Sequence, residues 1–175
     1  EIKLNDEIVS SLNFHLNSDK RQIGYVFQDF ALFPHLTVME NIFFGISKNN
    51  IEKISQKIQK LMDEIDISNL GNNYPHELSG GQQQQVALIR AMSSDPKIIF
   101  LDEPYSNLDS RLKEKIRDQM LHILREHKIS VLLVTHDPEE AMFMSNKIGV
   151  LNNGCIEQFG TPLDIYLRPK SAFVA

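Results

Sequence analysis

The chain has 175 residues, enough for one domain with a buried core and too few for two ordinary ones. Its 18 basic against 23 acidic residues leave a net charge of -5, which argues against nucleic acid as a partner, because phosphate-backbone binders carry a basic excess. No apolar run reaches the roughly 18 to 20 residues of a bilayer span, no signal peptide opens the sequence, and the single Cys155 rules out an internal disulfide, so a cytosolic domain is expected.

Residues 2–9 alternate apolar and polar side chains and read as one strand, entered directly from Glu1, so that a preceding segment is expected. Gly24-Tyr25-Val26-Phe27 reads as a second strand. Thr37-Val38-Met39-Glu40 fits a capping box that opens a short helix through Phe44. Ile51, Ile54, Ile58, Leu61 and Ile65 recur at steps of three and four, predicting an amphipathic helix over 51–65.

Ser79-Gly80-Gly81-Gln82 starts another capped helix, running to about Ser93, with Pro96 beyond it. Lys97 to Asp102 reads as a buried strand, Asp109 to about Lys128 as a long helix with Leu112, Ile116, Met120, Ile123 and Leu124 inward, and Ser130 to Thr135 as a second buried strand. Asp137-Pro138-Glu139-Glu140 is a helix start. Asn152-Asn153-Gly154 turns a hairpin between Ile148–Leu151 and Cys155–Phe159, and Thr161-Pro162 opens a last helix that stops near Pro169. Strands alternating with helices, interrupted by a helical stretch, indicate an α/β fold with a helical insertion.

Two local patterns carry chemistry. Ile98-Ile99-Phe100-Leu101-Asp102-Glu103 is an apolar strand with two carboxylates at its carboxyl end, where ligands of parallel sheets collect. An aspartate there can hold Mg²⁺ and an adjacent glutamate can deprotonate an attacking water; the plain alternative is a strand ending in a solvated acidic turn. Ser79 to Gln82 sets a hydroxyl, two glycines and unpaired amides at a helix N-terminus, which attracts phosphate, although such caps are often only structural.

In this order the segments resemble the ATP-binding subunit of ABC transporters. Tyr25-Val26-Phe27-Gln28 matches the Q-loop, Leu78 to Gln82 the signature motif, Phe100 to Glu103 the Walker B strand with its catalytic glutamate, Ser106-Asn107-Leu108-Asp109 the D-loop, and Val134-Thr135-His136-Asp137 the switch histidine. The resemblance implies ATP and Mg²⁺ as cofactors. It implies catalytic roles for Glu103 (general base), His136 (γ-phosphate contact) and Gln28, with Asp102 and Gln28 at the metal. Ser79, Gly80, Gly81, Gln82 and Asp109 become nucleotide-binding and interface positions. It further implies a P-loop-NTPase-like parallel-sheet core over 1–30 and 91–175 and a helical subdomain over 31–90. The expected partners are transmembrane permease subunits and a second ATPase subunit in a homodimer, with a periplasmic or extracellular solute-binding protein acting indirectly; the chain itself is expected at the cytoplasmic face of the plasma membrane, as a peripheral subunit.

Three features qualify the resemblance. No GxxxxGK[ST] phosphate loop occurs in the 175 residues, so the domain reads as lacking its N-terminal strands and Walker A segment, and the isolated chain is expected to be inactive. The signature continues Gln82-Gln83-Gln84-Gln85 where the family has arginine last, which leaves the packing of Gln85 open. Phe30, Leu32 and Phe33 serve either as core or as a groove for the permease. Tyr74-Pro75-His76-Glu77 with Ser106 to Asp109, and the Gln158–Pro162 tail, resemble the ferric-iron, polyamine and sulfate importers, ferric iron first. The alternatives are a catalytically incompetent remnant and a soluble ABC ATPase acting on ribosomes or DNA.

Overall fold

The computed structural model describes residues 1–4 and 6–175, with Lys48, Asn49, Ser110 and Arg111 followed through the backbone alone. It comprises two units, Glu1–Leu132 and Leu133–Ala175.

The first unit opens with an antiparallel hairpin and not with one strand over 2–9. Strands β1 (Ile2–Leu4) and β2 (Glu7–Ser11) pair with each other, and β2 pairs with β3 (Phe14–His15). Alternation continues across the turn, so pattern alone hides it. Asp6, at φ 66°, takes the left-handed conformation that aspartate tolerates without help from glycine. Asn5, read as part of the 2–9 strand, lies outside the described residues.

Strands β4 (Ile23–Val26) and β5 (Ile98–Asp102) pair in parallel, with Tyr25 opposite Phe100 and Val26 opposite Leu101. The sheet order is β4-β5-β6, where β6 is Ser130–Val134. Between β4 and β5 the chain builds three helices. Helix α1 (Val38–Phe43) begins at the Thr37–Glu40 capping box, which forms as its residues dictate. Helix α2 (Lys48–Glu64) starts a turn earlier than its apolar spacing suggests. Helix α3 (Gly80–Ser93) is capped by Ser79 and Gln82. Helix α4 (Ser110–Glu126) follows β5, with the Asp109 carboxylate accepting the Leu112 amide.

Helix α3 is the hub of the core. Its Val86, Leu88, Ile89 and Met92 are fully buried, together with Val38 and Ile42 of α1, Ile58 and Leu61 of α2, Met120 of α4, and Val26, Ile99 and Leu101 of the sheet. The helix approaches β4 so closely that a Cβ on Gly24 would lie 2.8 Å from the Ala91 carbonyl oxygen and 2.9 Å from Ile99 Cγ1. A backbone carbonyl held in a helix cannot swing aside. Gly24→Ala is therefore expected to cost about 1–3 kcal/mol, read as a lowered denaturant midpoint, whereas the same change at Gly149 meets only ordinary contact, with Phe159 Cδ2 at 3.5 Å.

Strand β6 departs from expectation. It is not buried: Val131, Leu132 and Val134 are 39%, 51% and 54% exposed. An apolar run reads as buried only if something covers both its faces, and among the described residues that cover is not supplied.

In the second unit, α5 (Pro138–Met144) follows the Asp137 cap, and β7 (Ile148–Asn152) turns through Asn153 and Gly154, both at positive φ, into β8 (Cys155–Gly160). Helix α6 (Pro162–Leu167) starts at a Thr161–Asp164 capping box, where the threonine hydroxyl and amide hold the Asp164 carboxyl below its ordinary range.

Candidate active site

The parallel register of β4 and β5 decides what meets at the carboxyl end of the sheet. With Tyr25 opposite Phe100, three residues further on Gln28 comes opposite Glu103. The Gln28 Nε2 donates to Glu103 Oε2 at 3.2 Å. The Tyr25 hydroxyl reaches two residues past its strand partner Phe100 and donates to Asp102 Oδ2 at 2.9 Å, and this bond, helped by partial burial and by the neighbouring charge, raises the Tyr25 pKa. Glu103 itself sits at φ 43°, a conformation that costs a non-glycine residue on the order of 1 kcal/mol or more. Its carbonyl accepts from the Ser106 hydroxyl (3.0 Å) and the Ser106 amide (3.2 Å), which closes the turn out of the strand. Asn107 Nδ2 then donates to the Gln28 backbone carbonyl at 2.9 Å. The loop after β4 and the loop after β5 are thus tied twice, by Gln28 to Glu103 and by Asn107 to Gln28.

The loop beyond Gln28 is built as firmly. Phe30 and Ala31 are both left-handed, at φ 63° and 44°. Arg90 of α3 donates from Nη2 to the Phe30 carbonyl (2.8 Å) and from Nη1 to the Ala31 carbonyl (2.6 Å), and lies 5.9 Å from the Phe33 ring centroid. Burial pushes the Arg90 pKa down. Asn41 of α1, fully buried, accepts from the Phe33 amide and donates to the Phe33, Leu36 and Thr37 carbonyls. Phe30 is core, Phe33 is half-buried, and Phe44, stacked on Phe33 at 4.1 Å, is 54% exposed.

At the N-terminus of α3, the Ser79 amide and hydroxyl donate to Gln82 Oε1 at 2.9 and 3.1 Å, so both side chains are occupied within their own cap. The two glycines serve packing as well as access. A Cβ on Gly81 would meet Leu112 Cδ2 at 3.0 Å and Ile116 Cδ1 at 3.3 Å, and one on Gly80 would meet Leu108 at 3.4 Å. Gln85 Nε2 donates to Gln119 Oε1 at 3.0 Å and to the Ile65 carbonyl at 3.2 Å, so a neutral amide holds α3 to α4 at the position where the family's arginine was expected.

His136 belongs to the second unit and is exposed. Its two neighbours fix the backbone around it. The Thr135 hydroxyl donates to the buried Glu140 carboxylate at 2.5 Å and accepts the Asp137 amide at 3.1 Å, and Asp137 caps α5.

Among the expected site residues, Gln28, Asp102 and Glu103 come together, Ser79 to Gln82 form one helix start, and Asp109 is an N-cap. Sequence reasoning passed over Tyr25, Arg90 and Asn107. Asn107 had a signal, since a short amide donor in a turn beside a catalytic loop reads as a tether. Arg90 had none, because one cation in an otherwise apolar helical stretch looks like a surface residue.

Asp102 suits a hard cation in donor type. One carboxylate oxygen accepts the Tyr25 hydroxyl, the other stays open among the described residues, and Gln28 keeps an amide oxygen, a sparse oxygen set of the kind Mg²⁺ accepts while retaining its waters.

For a chain with a strand-end acid pair under a glutamine and a serine–glycine helix start, the comparisons give the family. Residues 1–106 match the family described as ABC transporter, and the chain belongs to that family. It is similar to the sulfate/thiosulfate import ATP-binding protein CysA of Mesostigma viride, 44% identical over 156 residues, 88% of this chain and 45% of that protein. It is similar to the Fe(3+) ions import ATP-binding protein FbpC of Haemophilus influenzae, 42% identical over 174 residues, 97% of this chain and 48–49% of the two such proteins. Among solved structures it resembles the ATP-binding cassette MJ0796, a dimer in a post-hydrolysis state bound to ADP and Pi, with TM-score 0.65 and 34% identity over 82% of this chain and 65% of that one. The fold is therefore that of an ABC ATPase. The chain spans less than half the length of the importer proteins it matches.

Proposed function

We propose that this chain carries the hydrolytic half of the ATP-binding subunit of an ABC importer. The pairing of Gln28 with Glu103 at the carboxyl end of a parallel strand pair carries this reading. Glu103 takes the proton of the water attacking the γ-phosphorus, Gln28 orients that water, and the bond to the β–γ bridging oxygen breaks, with ADP leaving with its electron pair. Asp102 and Gln28 would hold Mg²⁺, which would supply charge neutralisation at the phosphates. His136 contacts the γ-phosphate. Ser79, Gly80, Gly81 and Gln82 present amides and a hydroxyl to a nucleotide held by a second ATPase subunit, with Asp109 at that interface. The dimeric state of the MJ0796 cassette supports the pairing.

Residues 31–90 act as the helical subdomain, and Phe33 with exposed Phe44 forms the contact for a transmembrane permease subunit, which places the protein on the cytoplasmic face of the membrane. A solute-binding protein supplies the solute to the permease. Ferric iron is the solute favoured by the Tyr74–Glu77 and Ser106–Asp109 segments, and similarity to a sulfate importer makes sulfate the competing outcome of an uptake assay.

Because no phosphate loop occurs among the 175 residues, the chain alone is not expected to grip ATP. The test compares ATP binding and phosphate release by the chain with and without about 60 added upstream residues that carry such a loop. Turnover only in the extended form is expected. Tight ATP binding by the 175 residues alone overturns the assignment of where phosphate is held.

A further inference from the structure

We propose that Arg90 is a positioning residue that fastens the Gln28 loop to the signature-bearing helix, so that the N-terminus of α3 and the Gln28–Glu103 contact shift together. The observation that starts this is a conflict between residue and backbone. Phe30 and Ala31 are consecutive non-glycine residues in the left-handed region, which neither side chain favours. Such a pair persists only where its surroundings over-determine it. Here one side chain does so. The planar fork of Arg90 spans the two carbonyls that this backbone turn exposes, at 2.8 and 2.6 Å, a geometry a lysine cannot reproduce with a single ammonium.

The arginine is also costly where it stands. It is half-buried, and among the described residues no carboxylate is paired with it; its charge is met by two carbonyl dipoles and the face of Phe33. A cation kept under those conditions does a job that a neutral residue does not. That job is visible from its position. Arg90 lies eleven residues, about three turns, beyond Ser79 on the same helix. At its neighbour Ala91 the helix rests on Gly24, in the strand that leads to Gln28. The Gln28 loop is consequently held by α3 on one side and by Asn107 on the other, and its side chain meets Glu103 between these two anchors. The consequence for hydrolysis rests on the role proposed for Gln28. The fastening itself does not, and the experiment reads the fastening.

Amide hydrogen exchange in the 175-residue chain tests it. The Phe30 amide donates to the Phe27 carbonyl at 2.9 Å and the Phe33 amide to Asn41 Oδ1 at 2.8 Å, so both report opening of the loop. Arg90→Lys is expected to speed exchange at these two amides by about tenfold, with α2 unchanged, and to shift the Gln28 side-chain amide resonance away from its bonded position. Adding Ala31→Gly, which removes one left-handed penalty, is expected to recover about threefold of that loss. A merely structural arginine predicts the contrary pattern: exchange accelerating equally through α2 and α3, or no recovery at the two loop amides on adding Ala31→Gly. Either result overturns the proposal. If Arg90→Lys does not fold, the unaltered chain still decides, because the Arg90 Nη protons must show hindered rotation by NMR, and free rotation overturns the inference. ATP hydrolysis that fails in the extended chain while the loop amides behave as expected counts against the role of Gln28 and leaves the fastening intact.

Discussion

Glu103→Gln, placed in the chain extended with a phosphate loop, is expected to lower ATP turnover by roughly 10²- to 10⁴-fold while leaving ATP binding in place, because it removes a positioned general base. The substitution is close to isosteric. Its amide oxygen still accepts from Gln28 Nε2, so the link at 3.2 Å between the two loops survives, and the Ser106 hydroxyl still closes on the backbone carbonyl of residue 103. What is lost is the capacity to take a proton. Phosphate release under saturating ATP measures the loss, and nucleotide binding measured in parallel shows that the site remains assembled. A fall in turnover of less than about tenfold would assign the base elsewhere, and the role given to Glu103 would have to be abandoned. Asp102→Asn is expected to give the contrasting result, a higher Mg²⁺ concentration needed for turnover, since it alters the acid proposed to face the metal and leaves the Gln28 contact untouched.

Asn41→Ala is expected to be among the most damaging changes to stability, by about 3–5 kcal/mol, read from the urea midpoint of the unmodified 175-residue chain. Asn41 is fully buried in α1 and closes four hydrogen bonds at once: the Phe33 amide at 2.8 Å, and the Phe33, Leu36 and Thr37 carbonyls at 3.1, 3.0 and 3.0 Å. Truncation to alanine leaves the Phe33 amide and the Leu36 carbonyl without these partners, while the Thr37 and Phe33 carbonyls keep the Asn41 and Leu36 amides; each group so stranded costs far more than a surface hydrogen bond is worth. Asn41→Asp sharpens the argument. It keeps an acceptor for the Phe33 amide and directs a carboxylate at three carbonyl oxygens, so at neutral pH it should destabilise at least as much as alanine and recover partly as the solution is acidified. A cost below about 1 kcal/mol for Asn41→Ala would show that the loop reorganises around the gap.

What could be read from the sequence was what its nearest neighbours decide. The Thr37–Glu40, Ser79–Gln82 and Thr161–Asp164 boxes form as their spacing dictates, because a cap involves only residues three apart. The Ile98–Asp102 strand was legible for the same reason, and with it the placement of Asp102 and Glu103. The rest depends on partners far away in the chain. Arg90 reaches back 59 and 60 residues to the loop it holds, and no local pattern marks such a bond. The turn at Asp6 uses neither glycine nor proline, so the alternation over 2–9 ran straight through it. Val131, Leu132 and Val134 failed differently: composition reports how apolar a strand is and is silent on whether anything covers it. Gly81 was read for its approach to phosphate, and the contact it makes with Leu112 and Ile116 required knowing where α4 lies.

The parallel pairing of β4 with β5 has a bearing on how the molecule reaches its structure. Tyr25 and Phe100 stand opposite each other although 75 residues separate them, and α1, α2 and α3 all lie within that interval. Closing so long a loop is entropically unfavourable until the intervening chain is compact, and folding rates fall as contacts become less local. The helices, whose caps and i,i+4 contacts are local, therefore condense first, and α3 then offers β4 and β5 the apolar face on which they meet. The Gln28–Glu103 contact arrives last in this sequence of events, since the two residues are brought together only when the two strands have found their register.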